Sequence, residues 1–573
     1  MRRLGLLGLM GAVLVCLPAS ASATNLYVGS QVNNSIDAFH VASDGSLTPI
    51  ACSGSNCTAG GGTEQLVITP ANQFLYSVNA DANTVSEFSM ASDGSLTQLC
   101  SSSCPATGST PIGMTVSPNG KFAYAANQAV AGTVSPFSVG SDGSLTPIAC
   151  PGSNCSTDGE ADGIAMSPNG NYLYTTNQET NTISEFSVGS DGSPTPLCTS
   201  ACPAVTSAAD LLPVAVSPNG KFLYAAGRDN GEVYPFQINS DGTLTPIACA
   251  TCGSTGEYPN GLAVTPNGKF LYTANEDSDS ISAFSINSDG TLTPISCSAC
   301  TAGSNAYAAL TVEPGSRYLY GLTVGDEGNS TLVPFSINAD GSLTPISCAP
   351  ADCDTSESRV DVFSIVATPD QAPVAKFTHS PGHAGQATKF NGSGSTAYQN
   401  ATVAVYDWSF GDGKSAPNGG PTPKHKFAKP GRYKVTLTVT DSLGCSTQQT
   451  YTGQTMSCNG SSVATITHTV HVTAVKKAKL SLSDLPSVCM RAAHTIGVHV
   501  HTASGSAPHK TSVSVDGHRV ARSRKLSFSV TVSLGELKVG SNTIKAASVD
   551  RFGRHSSVSA HMTRCSTSAA FTG

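Results

Sequence analysis

The sequence predicts an all-β chain: a closed ring of seven four-stranded sheets, a β-propeller, followed by two smaller β-sandwiches. Three observations carry this. Tyrosines recur at 27, 76, 124, 174, 224, 272 and 320, spaced 48 to 50 residues apart. Each copy holds short alternating apolar runs separated by Asp-Gly and, in most copies, Asn-Gly turns, and a period near 50 built of strands and turns is the signature of a propeller. Beyond residue 370 this period stops, and longer alternating runs replace it.

Within one copy, Gly113-Met-Thr-Val-Ser-Pro-Asn-Gly-Lys-Phe-Ala-Tyr124 reads as two strands around a turn, with Thr133 to Val139 a third strand and Leu145 to Ile148 a fourth. Asn119-Gly120 and Asp142-Gly143 are expected as tight type I′ hairpin turns, which need positive φ at both central residues. The first copy begins at Asn25-Leu-Tyr-Val, a second strand. The last is an inner strand alone, Phe363-Ser-Ile-Val-Ala-Thr-Pro369. The C-terminal strand is therefore expected to complete the N-terminal blade, which removes the exposed sheet edge of an open array.

The first 23 residues read as a secretory signal. Arg2 and Arg3 precede an apolar run over residues 4–17, and Ala21-Ser22-Ala23 fits a cleavage site, so the mature chain is expected to start at Thr24. Val15 before Cys16 does not fit a lipoprotein site, and no second apolar run of membrane-spanning length follows. Eighteen of the 19 cysteines lie after this segment. Fourteen form one close pair per copy: Cys52/Cys57, Cys100/Cys104, Cys150/Cys155, Cys198/Cys202, Cys249/Cys252, Cys297/Cys300 and Cys348/Cys353. Regular pairing in an exported chain reads as disulfides. A zinc site would need four converging ligands, and a ring holds these pairs apart.

Only 12% of residues are charged, against about a quarter in a typical domain. Residues 24–370 carry 31 acidic and 6 basic side chains, whereas residues 371–573 carry 7 acidic and 22 basic. An acidic ring repels nucleic acid. A basic tail suits an anionic cell-wall polymer.

The strings Ser217-Pro-Asn-Gly-Lys-Phe-Leu-Tyr224 and Thr265-Pro-Asn-Gly-Lys-Phe-Leu-Tyr272, with the Asp-Gly-Ser/Thr-Leu-Thr-Pro strings, resemble the YVTN-type repeats of lactonase-like seven-bladed propellers over roughly residues 25–370. That superfamily includes 6-phosphogluconolactonase and the carboxymuconate cycloisomerase propellers. The resemblance implies the ring and offers lactone hydrolysis as an activity. It transfers no catalytic residue, because the His, Arg and Glu that the cycloisomerase relatives combine have no matching motif.

Residues 371–475 resemble the PKD domain, an immunoglobulin-like β-sandwich, through Ala372-Pro-Val-Ala-Lys-Phe377, Asp407-Trp-Ser-Phe-Gly-Asp-Gly413 and Gly431-Arg-Tyr-Lys-Val-Thr-Leu-Thr-Val-Thr-Asp441. Trp408 and Phe410 alternate with polar neighbours and are expected in its core. Asp412 reads as a turn former, and Cys445 and Cys458 as closing an insertion in a late hairpin. Residues 476–573 alternate weakly and read as a second immunoglobulin-like sandwich tied by Cys489 and Cys565. Seven of the 13 histidines lie there. His499 and His501 share a strand face, which permits metal binding, but no Cys or carboxylate accompanies them at ligand spacing.

An enzyme of this shape needs titratable groups at the central mouth, where the inner strands converge. Acidic residues at those positions are Glu64, Glu160, Asp162, Asp210, Glu257 and Asp361. Glu160, Asp162 and Asp210 are the catalytic candidates, and such a ring of carboxylates could also hold calcium. No other cofactor is expected. Arg228, Arg317 and Arg359 are the ring's only arginines, too few to assemble a phosphate-binding cluster readily. The favoured reading is a secreted or cell-surface monomer that binds an extracellular protein, carbohydrate or wall polymer, with the sandwiches as spacer and adhesion modules. The alternative is an extracellular lactonase-like hydrolase acting on a lactone or sugar acid.

Overall fold

The computed structural model describes residues 24–566 except 32, 52–56, 102, 151, 153, 199–201, 206–208, 249–252, 298–299, 301–304, 326–328, 348–352, 359–363, 399–400, 502–507 and 551–552. The expected signal segment and Asp361 lie outside the described residues, as do Cys52, Cys249, Cys252 and Cys348.

Among the described residues, seven antiparallel sheets make up the ring. Their inner strands are Thr63–Ile68, Pro111–Val116, Ala161–Met166, Leu211–Val216, Pro259–Val264, Asn305–Val312 and Ser364–Ala367. The last of these pairs with Asn25–Ser30, so both ends of the array share one blade. One sheet gains a fifth strand, Asp354–Ser358. It pairs with Asn329–Ile337, whose first half extends beyond the three-residue outer strand Leu343–Pro345 and leaves a free edge.

The recurring tyrosine is what joins one blade to the next. All seven are fully buried. Each hydroxyl donates to the glycine carbonyl of the next blade's Asp-Gly turn: Tyr27 to Gly94, Tyr76 to Gly143, Tyr124 to Gly192, Tyr174 to Gly242, Tyr224 to Gly290, Tyr272 to Gly341 and Tyr320 to Gly45, at 2.8–3.2 Å. The last of these bonds runs from the final blade to the first. The glycine is required twice over. At Gly192 φ is +85°, and a Cβ there would sit 2.3 Å from the ring of Phe122.

The turns differ from the type I′ expectation. Gly120 and Gly143 have positive φ, but Asn119 and Asp142 do not. Both loops run three residues, with the first two at negative φ and the glycine third in the left-handed region; Pro118 fixes the first φ in one, and Ser141 takes that position in the other. The aspartate then accepts from the residue two on. Asp142 Oδ1 takes the Ser144 amide and hydroxyl at 3.1 and 2.7 Å, which holds its carboxyl below the usual range.

Residues 378–473 form a sandwich. A sheet of Thr378–His379, Ala387–Asn391 and Lys424–Lys426 faces a sheet of Gly382–His383, Thr465–Thr473, Gly431–Asp441, Val403–Ser409 and Ser415–Ala416. Between them lie Trp408, Phe377, Phe390, Phe410 and Phe427. Trp408 Nε1 donates to the Gly420 carbonyl, so its one polar atom is satisfied. Asp412 is a partner of His425 at 2.9 Å. A last module packs Lys479–Ser483, His494–His501 and Ser527–Val532 against His518–Ser523, Pro508–Val515, Gly540–Asp550 and His555–Arg564. On its surface His499 and His501 bond serines (Ser483, Ser527 and Ser481).

Disulfides join Cys100–Cys104, Cys150–Cys155, Cys198–Cys202, Cys297–Cys300, Cys445–Cys458 and Cys489–Cys565. Cys57 and Cys353 are each buried and disulfide-bonded as well. The sequence pairs them with Cys52 and Cys348, which lie outside the described residues, so the two bonds are established from one end only. Both ends of the expected Cys249/Cys252 pair lie outside the described residues. Each buried half packs into a core between neighbouring blades: Cys57 beside Ala59 and Ile36, Cys353 beside Leu332. The staples of these two blades therefore seal apolar packing as well as closing a loop. No helix among the described residues is long and apolar enough to cross a membrane.

The ring and the first sandwich share a locked junction. Asn72 Nδ2 donates to the Pro369 carbonyl at 2.6 Å, and Asp370 N donates to Ser457 O at 2.8 Å. The side chains of Asp370 and Asp441 face each other, 0% and 2% exposed. Burial, together with the neighbouring Asp441 charge, holds the Asp370 carboxyl well above the usual carboxylate range.

Two outcomes follow. Tyr174→Phe removes one inter-blade bond and leaves a buried carbonyl, so urea unfolding should show a loss of about 1–2 kcal/mol. Asp370 binds its proton more tightly folded than unfolded, so stability should fall as pH rises above the usual carboxylate range. In Asp370→Asn that slope should flatten, with a gain on the order of 2 kcal/mol at pH 8, read by denaturation at several pH values.

Candidate functional site

Every inner strand of the six complete blades but one carries the same irregularity at its start, and this builds the site. The register slips between Thr63 and Leu66, Pro111 and Gly113, Ala161 and Ile164, Leu211 and Val214, and Pro259 and Gly261, and in the sixth blade two residues further along, between Tyr307 and Ala309. A bulge of this kind re-aims a side chain that the strand's alternation would place elsewhere. The residues so displaced include Glu64, Gln65, Asp162 and Asn260, and all four line the central channel. Just before the strand the backbone is left-handed in several blades, at Thr110 (φ 54°), Asp210 (φ 52°) and Tyr258 (φ 60°). Non-glycine residues there carry strain, most of all a β-branched one, and such strain gathers at functional positions.

The channel holds a cavity of about 290 Å³. Its charged groups, Glu64, Asp162 and Arg228, lie at the mouth where the inner strands begin. Asp162 is 1% exposed, and Gln128 Nε2 donates to its Oδ2 at 3.2 Å while also donating to Gln178 Oε1 at 2.8 Å. Asp162 Oδ1 is buried with no hydrogen-bond partner. Burial pushes this carboxyl up to about 7; Arg228 pulls it down and Asp210 pushes it further up. Arg228 extends from the end of the neighbouring second strand, Phe222–Gly227. Its guanidinium lies 4.1 Å above the Tyr258 ring, donates to the Tyr258 hydroxyl, and sits 3.8 Å from Asp210 Oδ2, with Nε left unpartnered. Asn260 Nδ2 donates to Glu276, and Asn260 Oδ1 is likewise unpartnered. Glu64 accepts from Gln31 Nε2 at 2.5 Å. Buried polar atoms left without partners around one cavity are spare capacity for a polar ligand.

Of the three sequence candidates, Asp162 lines the cavity. Asp210 stands behind Arg228 as its counter-charge. Glu160 lies in the loop before the strand, where its carbonyl accepts from Gln178 N and its charge acts on Asp162 from a distance. Glu257 is exposed and off the cavity wall. Among the described residues, three metal-capable side chains come together only as Asp370, Asp441 and Cys445 at the junction, and Cys445 there is bonded to Cys458.

The residue-level reading missed Arg228, Gln128, Tyr258 and Asn260 as one cluster with Asp162. A signal existed. The residue after the second strand is Ala80, Gln128, Gln178, Arg228 and Glu276 in successive copies, and the bulge residue is Glu64, Ile112, Asp162, Leu212 and Asn260. Positions that change polarity from copy to copy, in an otherwise uniform repeat, are those that face the shared axis.

The seven-fold array, its end-to-end closure and its repeat strings agree with a family comparison. Residues 25–149, 65–202 and 163–300 match the family model described as lactonase, 7-bladed beta-propeller. The ring is a lactonase-type propeller. Residues 370–455 match the PKD domain model, so the sandwich that follows the lactonase-type ring is a PKD domain. Similar solved structures include a protein assigned as a 6-phosphogluconolactonase from Bacteroides uniformis, 22% identical, covering 60% of this chain and 99% of that one, TM-score 0.49. A periplasmic gluconolactonase from Pseudomonas aeruginosa is 19% identical over 60% of this chain and 99% of its own, TM-score 0.49.

The electrostatics of the lactonase-type mouth can be checked directly. Arg228→Gln removes the cation that holds Asp162 down, so the Asp162 carboxyl should titrate above its starting value near 7. Infrared difference spectroscopy of the carboxyl stretch, with Asp162→Asn identifying the band, reads this; an unmoved band would separate the two groups.

Proposed function

We propose that the ring is an extracellular lactonase-like hydrolase that takes a small uncharged lactone into its channel. The observation that carries this is Asp162 beside Arg228 on one cavity wall, a buried carboxyl poised near neutrality next to a cation. A general base works best when its pKa lies near the operating pH. In this mechanism the Asp162 carboxylate takes a proton from a water that attacks the lactone carbonyl carbon. Arg228 stabilises the oxyanion that develops. When the ring C–O bond breaks, Asp162 returns the proton to the leaving oxygen, giving the hydroxy acid. Asn260 and Gln128 supply hydrogen bonds for substrate hydroxyls. The family match supports the same chemistry.

The charge balance argues against a phosphorylated substrate. Among the described residues of the cavity wall, Arg228 is the one cation, set against Glu64 and Asp162. A phosphate monoester would meet two carboxylates for one guanidinium. Export is supported by the disulfides and by the basic tail, whose Arg519, Arg522, Arg524 and Lys525 offer cations where an anionic polymer could bind. A binding module without turnover is the second reading. It is favoured by Arg228 being already engaged by Asp210 and Tyr258.

Proton release from a panel of phosphorylated and unphosphorylated lactones decides between them. Unphosphorylated lactones should turn over, with kcat/KM rising with pH through about 7 as Asp162 ionises. Asp162→Asn should lower kcat by roughly 100-fold or more. Binding of a panel member without turnover would leave the ring a binding module.

A further inference from the structure

The PKD domain does more than follow the ring. Its late insertion, closed by Cys445–Cys458, carries a short hairpin of Thr450–Tyr451 and Met456–Cys458. The tip of that hairpin enters the channel from the end opposite Asp162. Three consecutive carbonyls meet three consecutive blades there. Thr452 O accepts from Val216 N at 3.0 Å, Gly453 O from Met166 N at 2.7 Å and Gln454 O from Val116 N at 3.3 Å. These amides end the inner strands, whose channel-facing edge has no sheet neighbour. Tyr451 is fully buried and donates to the Val116 carbonyl at 2.8 Å, while the Thr115 hydroxyl donates to Gly453 O at 2.8 Å. Gly453 has φ +117°, and a Cβ on it would lie 3.0 Å from Ala165 Cβ and 3.1 Å from Val216 N, so only glycine passes this close.

The hairpin reaches four of the seven inner strands, the fourth through Ile68 N to Thr455 Oγ1 at 3.4 Å. Val264, Pro266, Val312 and Pro314 wall the remaining side. The half-buried Gln454 and Thr455 therefore line the same cavity as Asp162 and Arg228. Asp162 is second in its strand and Val116 last in the neighbouring one, which sets them about 13 Å apart along the channel at the rise of a strand.

We propose that the PKD hairpin is one wall of the ring's ligand pocket, and that Gln454 and Thr455 determine how far a ligand held at Asp162 can extend. The ligand class is a lactone with a side chain that runs down the channel; this half of the proposal rests on the hydrolase reading above, whereas the hairpin's place in the pocket does not.

Two measurements on the full-length protein separate the two. In the first, kinetics are compared across lactones with short, medium and long side chains. Gln454→Ala should change KM by roughly tenfold for the long substrates, with kcat and the short substrates unchanged; identical profiles would overturn the proposal. In the second, which needs no substrate, Thr455→Cys is labelled with a small neutral methanethiosulfonate. Labelling should proceed and should slow several-fold when Ile112→Trp narrows the Asp162 mouth. A cysteine that fails to react, or reacts at a rate indifferent to Ile112→Trp, would show that the hairpin does not face the pocket. Labelling of this kind in a protein that turns over no lactone would overturn the hydrolase reading and leave the hairpin as a wall of a binding pocket.

Discussion

Seven hydrogen bonds from buried tyrosines to glycine carbonyls hold the blades in register around the axis. Sheets packed face to face could slide, because apolar contact has no direction. A hydroxyl that must reach one carbonyl of the next blade removes that freedom, since a buried donor left unpaired costs more than the bond contributes. Tyr320 to Gly45 matters differently from the other six. It joins blades whose sequence positions lie 275 residues apart, and with the pairing of Ser364–Ala367 on Asn25–Ser30 it converts an open array into a closed one. Channel dimensions, and hence the distance between facing inner strands, are consequences of that closure.

The mouth depends on the same rigidity. Gly163 lies in the bulge of its strand, where a Cβ would come within 2.1 Å of the Leu212 carbonyl. Neighbouring inner strands thus approach almost to backbone contact, and the side chains at the bulge have one direction left, towards the axis. This is how Asp162 comes to be buried without an ion pair at contact distance. Arg228 is drawn aside by the Tyr258 face and by Asp210, so it moderates the Asp162 charge without neutralising it. In a ring with 31 acidic side chains, a carboxyl held near its neutral point is a local arrangement and not a reflection of overall charge.

Repetition made the ring legible. The Tyr spacing and turn glycines recur seven times, so periodicity averages over local exceptions, and the end strands Asn25 and Ser364 expose the closure directly. Trp408 in the alternating Asp-Trp-Ser-Phe string was legible for the same reason, that strand alternation predicts burial. Turn type was not, because each Asn-Gly or Asp-Gly pair closes a three-residue loop with positive φ at the glycine alone, a loop length the dipeptide does not reveal. The site was half legible. Acidic residues at the inner-strand starts were visible, but only the bulge decides that Asp162 faces the axis while Glu160, two residues earlier, stays in the loop. Arg228 was counted only as one of three arginines, too few for a phosphate cluster, a tally that says nothing about one pair in a cavity.

Chain order explains why a PKD module can reach a propeller channel at all. The strand that closes the ring, Ser364–Ala367, is also an inner strand, so the chain leaves the ring beside the channel and not at its rim. Pro369, Asp370 and Gln371 are pinned at once: Asn72 and Gln371 both donate to the Pro369 carbonyl, and Asn459 bonds the backbone of Asp370 and the side chain of Gln371. The module's insertion is held over the axis by Cys445–Cys458 on one side and by the backbone bonds of Asp370 with Ser457 and Asn459 on the other. A hairpin so fixed pairs its carbonyls with strand-end amides that water would otherwise serve. Closure of the ring and placement of the hairpin are therefore one event in the fold, since the strand that completes the first blade also delivers the segment that lines the channel.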